Sequence, residues 1–174
     1  MTGQNVLAAS ARALREEFDR AFALAPSEPE AGAQQLLAIR AGGQPYALRL
    51  AAIRGLHVDR RVLSMPSRLP ELLGLTGVRG QAVPVFDLAA LLGQPPQRAP
   101  RWLVLAAGRH SAAFAFEQFD AYHAVRPGDW LAAPAHAFVE ASVRLDDAPR
   151  PLLSLQSLID DLERRCLRLG SMKP

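Results

Sequence analysis

Cysteine, lysine and aromatic residues are scarce in this chain, and each shortage removes a class of function. One cysteine, Cys166, leaves no internal disulfide framework and suits a reducing cytoplasm. It stands on the apolar stripe of a C-terminal helical pattern, where a thiol acts as a small hydrophobe. The only lysine is Lys173. No Gly-Lys-Ser/Thr phosphate loop is therefore present, and no lysine is placed for a preorganised Schiff base. Aromatics make up 6% of the residues, too few to interleave with basic side chains as a strand-stacking surface requires. No run approaches the ~18 apolar residues of a membrane span. Met1-Thr2-Gly3-Gln4-Asn5 has neither the basic flank nor the apolar stretch of a secretory signal. These absences predict a cytoplasmic protein with no direct membrane insertion.

What is present is ordinary for a globular protein: 174 residues, 49% hydrophobic and 21% charged, enough for one domain or two subdomains sharing a core. The pI near 9.7 overstates the basic character, because 20 cations face 17 anions and nearly all the cations are arginine. The densest groups are Arg60-Arg61 and Arg164-Arg165, so no nucleic-acid footprint is expected.

Chemistry-bearing motifs are equally thin. His57, His110, His123 and His136 have no metal-ligand spacing, and Gly-x-Ser-x-Gly is missing. Asp146-Asp147 reads as a turn former. Gly74-Leu75-Thr76-Gly77-Val78-Arg79-Gly80 mimics a phosphate loop, but it opens a β-hairpin rather than a helix. No catalytic residue, metal or cofactor is expected.

The hydropathy pattern divides the chain. Residues 4–24 carry Leu7, Ala11, Leu14, Phe18 and Phe22 at helical spacing, and Pro26 to Gly32 reads as a linker. From Gln35 the period becomes two. Leu37 and Ile39 alternate with Ala38 and Arg40, Gly42-Gly43 offers a turn, and Tyr46, Leu48 and Leu50 follow. Glu71-Leu72-Leu73 suggests one helical turn, and Gly80-Gln81 a tight turn. Pro84 places its strand at an edge or a bulge. Asp87 caps a short helix over 88–92, closed by Gly93. Pro95 to Pro100 is the likeliest internal boundary. Strands resume over 102–106, 112–117, 121–125, 139–145 and 151–154. Leu155, Leu158, Ile159, Leu162, Cys166 and Leu169 then form a helical stripe, with Asp160 and Asp161 four residues before Arg164 and Arg165. About ten short strands with turn signals every ~8–12 residues favour small barrels over a doubly wound fold.

The stretch Gly74 to Gly80, read onward through Gln81-Ala82-Val83-Pro84-Val85-Phe86-Asp87-Leu88, resembles the signature of the CheW-like domain. Leu37-Ala38-Ile39-Arg40 and Tyr46-Ala47-Leu48 resemble its opening hairpin, residues 103–119 its second-half hairpin, and Val143-Arg144-Leu145-Asp146 to Leu158 its closing one. The resemblance covers about 35–163 and implies a mainly β fold of two intertwined five-stranded SH3-like barrels with N-terminal and C-terminal helices. The expected division is 1–33 for helix and linker and 34–170 for the domain. Within it, one barrel segment spans about 35–94, the other about 101–154, and the helix 155–169.

By the same resemblance, the protein is a non-catalytic chemosensory adaptor. Its partners would be the regulatory domain of a CheA-type histidine kinase and the cytoplasmic tip of a methyl-accepting chemoreceptor, in membrane-associated arrays. Candidate partner-binding residues are Ile53, Leu56, Arg79, Val83, Val85, Glu117, Phe119 and Tyr122. Two departures point to a divergent member. The family's Val-x-Glu-Ile/Val reads Ile53-Arg54-Gly55-Leu56 here, removing a carboxylate that could pair with Arg79. The family's Val-Val-Asp-x-Val reads Ala115-Phe116-Glu117-Gln118-Phe119. The alternative function is a small-barrel nucleic-acid-binding protein, with an unrecognised hydrolase behind it.

Overall fold

The computed structural model describes residues 33–96, 100–108, 111–132 and 136–171. The expected N-terminal helix and linker, and His110, lie outside them. Eleven strands are found among the described residues: β1 (Gln34–Ala41), β2 (Gln44–Arg49), β3 (Ile53–Val58), β4 (Leu72–Val78), β5 (Gln81–Asp87), β6 (Trp102–Ala106), β7 (Ala113–Phe116), β8 (Gln118–Val125), β9 (Trp130–Leu131), β10 (Val139–Leu145) and β11 (Ala148–Leu153). Two α-helices accompany them, α1 (Leu88–Leu91) and α2 (Leu155–Ser171).

Three tight hairpins nucleate this pattern. The central residues are Gly42 and Gly43 (φ 59° and 75°), Arg79 and Gly80 (49° and 79°), and Asp146 and Asp147 (50° and 60°). Two consecutive positive φ values are what a two-residue type I′ turn requires, and its twist matches that of the paired strands. The second turn is thus Arg79-Gly80, one residue earlier than expected, and it holds an arginine in a left-handed conformation.

The strands pair into a six-stranded sheet, β8-β1-β2-β11-β10-β9, and a five-stranded sheet, β3-β6-β7-β5-β4. Each closes around its own side chains. Leu36, Ala38, Ala47, Val125, Val143, Leu145 and Leu152 fill the first, and Val78, Val83, Val85, Leu103, Leu105, Ala113 and Ala115 fill the second. Clusters drawn from strands so far apart within one sheet require that sheet to curl into a barrel.

The opposite faces meet each other. Leu37, Ile39, Tyr46 and Leu48 from the first barrel join Phe86, Val104, Phe114 and Phe116 from the second in a shared core. Leu155, Leu158, Ile159 and Leu162 of α2 pack into it as well. Ala38, expected on the outer face, is fully buried because β1 is covered on both sides.

The division at the proline stretch is corrected. β5 and β6 flank it in the chain, yet both lie in the five-stranded sheet. The true exchange points are after β2 and before β8, so the chain begins one barrel, builds the whole of the other, then returns. Two parallel pairings, β2 with β11 and β5 with β7, close these long excursions. No local turn signal announces such pairings.

Smaller corrections have local causes. Residues 72–73 open β4 instead of ending a helical turn, because Leu72 pairs with Phe86. Pro84 is neither at an edge nor the bulged residue itself. It pairs with Leu75 of β4 and sits one position outside the β5–β7 pairing, next to the register shift that faces Val85 and Phe86. Asp87 caps α1 as expected, accepting from Ala89 N at 2.9 Å and Ala90 N at 3.3 Å. In α2, Arg164 pairs with Asp161 at 3.2 Å rather than with Asp160, and Cys166 is exposed. None of the described helices is long and apolar enough to cross a membrane.

Candidate functional site

Both barrels leave an edge strand beside the shared core: β3 on one sheet, β8 on the other. Directly opposed residues of a pair share a face, so the register shows what each edge presents. Leu56 lies opposite Val104 and Val58 opposite Trp102, and Val104 belongs to the shared core. Phe119 lies opposite Ile39 and Tyr122 opposite Leu37, again core residues. The two edges therefore turn Leu56, Val58, Phe119 and Tyr122 toward the same interbarrel seam.

At this seam the core runs out into solvent. Val58 is 45% exposed and Tyr122 is 55% exposed, while Ile53, Leu56, Trp102 and Phe119 are half-buried against the core. An aromatic series crosses from one barrel to the other: Phe116 to Trp102 at 6.4 Å, Trp102 to Phe119 at 5.5 Å, and Phe119 to Tyr122 at 5.1 Å between ring centroids. Stacked and tilted rings at these separations add attraction beyond their area. The result is a rigid apolar groove with an amphipathic tyrosine at its rim.

A bulge sets the groove's charged flank. Asp120 falls at the register shift in the β1–β8 pairing, without a partner residue in β1. Its carboxylate accepts from Arg150 Nη1 at 2.7 Å and from Gln118 Nε2 at 2.9 Å, with Arg40 Nε 3.5 Å away. Arg150 is buried, so this pairing offsets the desolvation of its guanidinium.

The expected site residues separate into three groups. Ile53, Leu56, Phe119 and Tyr122 come together at the groove. Arg79 is exposed, but on the β4–β5 turn at the mouth of the second barrel. Val83 and Val85 are corrected: at 2% and 0% exposure they fill that barrel's interior instead of forming part of an outer docking surface. Glu117 is engaged within its own chain, where Oε1 accepts from Gly43 N at 2.8 Å and ties the β1–β2 turn to the start of β8. Trp102 and Val58 were missed as groove residues, because their exposure depends on the β3–β6 pairing and its register.

The other edge of the five-stranded sheet is β4. Leu63 covers part of it, exchanging backbone hydrogen bonds with Leu75 at 2.8 and 2.9 Å. Beside this bridge lies an open cavity of about 610 Å³, lined by Arg60, Arg61, Leu63, Thr76, Gly77 and Gln81 among others. Among the described residues no group of three or more histidine, cysteine or acidic side chains is placed to hold a metal ion.

Comparison with known proteins agrees with this architecture. A model of the CheW-like domain family matches residues 35–163. The chain belongs to the CheW-like domain family. A "Probable chemotaxis protein CheW" from Rhizobium etli is 32% identical over 65 residues, covering 37% of this chain and 42% of that relative. The chain thus aligns with less than half of that relative's length. Among solved structures, the scaffolding protein TtCheW from Thermoanaerobacter tengcongensis superposes with a TM-score of 0.66 at 17% identity, over 72% of this chain and 92% of the other. That match shows the shared fold of two SH3-like barrels.

Proposed function

We propose that this CheW-like chain is a non-catalytic scaffold coupling a chemoreceptor to a CheA-type histidine kinase in the cytoplasm. The observation that carries the reading is the interbarrel groove, where Val58 and Tyr122 are exposed on two edge strands and Trp102 and Phe119 lie half-buried between them. An apolar groove with aromatic anchors suits the apolar face of a helical partner, read through residues one turn apart. The helical cytoplasmic tip of a methyl-accepting chemoreceptor has that form. Ile53 and Leu56 form the groove's other wall. The barrel surface around the β4 edge, with Leu63 60% exposed, offers a separate face for the kinase's regulatory domain.

The test is binding of a receptor-tip fragment and of a kinase regulatory domain, measured by calorimetry with the intact chain. Tyr122→Ala and Val58→Asp should weaken receptor-tip binding at least tenfold while the melting temperature stays near wild type, because both side chains are largely exposed. Absence of any complex with either partner at tens of micromolar would reject the scaffold reading.

A further inference from the structure

The mouth of the second barrel carries positive charge that the protein itself does not balance. Arg54, Gly55, His57, Arg79, Gln81 and Ser111 line a cavity of about 110 Å³ there, with Val78, Val83 and Leu105 beneath. No carboxylate lines it among the described residues. Arg54 spends one Nη2 donor on the carbonyl of Gly108 at 3.2 Å. Neither Arg54 nor Arg79 makes an ion pair in the described structure, so the two guanidiniums at this cavity keep their charge unbalanced. The turn also holds Arg79 in a left-handed backbone conformation, φ 49°, that favours glycine or asparagine.

Gly55 contributes no side chain to the cavity wall, and the His57 ring lies close to it: a Cβ built there would have His57 Nε2 3.2 Å away, so the ring must give slightly to admit one. His57 titrates below its ordinary value because of burial, then the charges of Arg60 and Arg79, so its ring is neutral near pH 7. The cavity therefore combines two guanidiniums, a neutral imidazole and the hydroxyl of Ser111. Guanidiniums favour planar bidentate anions such as carboxylates.

We propose that this cavity receives one aspartate or glutamate side chain from a docked protein partner, whose carboxylate enters beside Gly55 and pairs with Arg54 and Arg79. The inference builds on the scaffold reading and names the chemistry by which one face of the scaffold selects its partner.

The experiment uses the full ¹⁵N-labelled chain and three probes: acetyl-(Glu)6-amide, acetyl-(Gln)6-amide and inorganic phosphate. The glutamate peptide should shift the Arg54 and Arg79 Nε–Hε signals saturably and raise the His57 titration midpoint. The glutamine peptide should do neither. Gly55→Glu, which fills the cavity with the chain's own carboxylate, and Arg79→Gln, which leaves the backbone intact, should each weaken the effect at least tenfold. The proposal is overturned if the glutamate peptide leaves these signals unmoved, if Gly55→Glu binds it as wild type does, or if phosphate alone saturates the site. Receptor-tip binding by Tyr122→Ala separates the two readings. If it is lost while the peptide result is negative, only the cavity proposal falls; if neither protein partner binds at all, the scaffold reading falls.

Discussion

Arg165 of α2 donates from Nη2 to both carboxylate oxygens of Glu71, at 2.8 and 2.9 Å. Glu71 stands immediately before β4, and its backbone carbonyl accepts from Asp87 N at 2.8 Å. One residue thus joins the C-terminal helix to the start of β4 and the end of β5. The pairing holds the Arg165 guanidinium above its ordinary value, chiefly through the Glu71 hydrogen bonds.

Glu71→Gln keeps the shape but loses the charge. Arg165 is one-third exposed, so solvent screens part of the interaction. We expect a loss of about 1 kcal/mol, within the range for a partly solvated charge-assisted bond. The measurement is urea unfolding: the midpoint should fall while the slope stays unchanged, since the surface exposed on unfolding is the same.

Local signals in the sequence suffice where one residue type satisfies one backbone need. Asp87 capping α1 and Gly42-Gly43 turning the first hairpin depend only on their immediate neighbours. Val83 and Val85 show where such reading stops. Their spacing said strand, but which face of the strand meets solvent depends on β5 lying between β7 and β4. The same limit hid Val58 and Trp102, and it misplaced the barrel boundary at the conspicuous prolines. Parallel pairings between distant segments leave no mark in local composition. Family resemblance points to Ile53, Leu56, Phe119 and Tyr122, and the strand register accounts for the convergence of the last three.

His57 makes stability depend on pH. Its folded midpoint lies below the ordinary value of 6.5, with burial the largest cause. Between the folded midpoint and 6.5 the unfolded chain binds a proton that the folded chain does not. Stability contributed by the neutral ring is therefore fully present above 6.5 and is lost as pH falls through that window. His57→Gln should flatten the dependence there, measured as melting temperature against pH. Arg79→Gln should move the His57 midpoint only part of the way back, because burial remains.

Gly74 and Gly77 occupy the same strand but should answer substitution oppositely. A Cβ on Gly74 would lie 2.0 Å from the Leu63 carbonyl oxygen, and its φ of 144° already disfavours a side chain. Gly74→Ala must push the Leu63 segment away and break its bridge to Leu75, which shields the β4 edge. We expect a loss above about 2 kcal/mol, as for overpacking combined with backbone strain. Amide exchange at Leu63 and Leu75 should accelerate strongly. Gly77→Ala meets nothing within 4 Å, so stability should change by less than about 0.5 kcal/mol.

Arg79 sets stability against recognition. Its left-handed backbone in a type I′ turn strains arginine, whereas asparagine, whose short amide side chain hydrogen-bonds locally, adopts that conformation readily. The side chain is exposed and makes no ion pair in the described structure, so replacing it removes little from the folded state. Arg79→Asn should therefore stabilise the protein by about 0.5–1 kcal/mol, a fraction of the usual strain at such positions. The same variant should lose the glutamate-peptide response at the barrel mouth. A thermal melt and the peptide titration on one sample of Arg79→Asn measure both effects. A variant that melts lower than wild type, or one that keeps full peptide affinity, would show that this turn is kept for packing rather than for its exposed guanidinium.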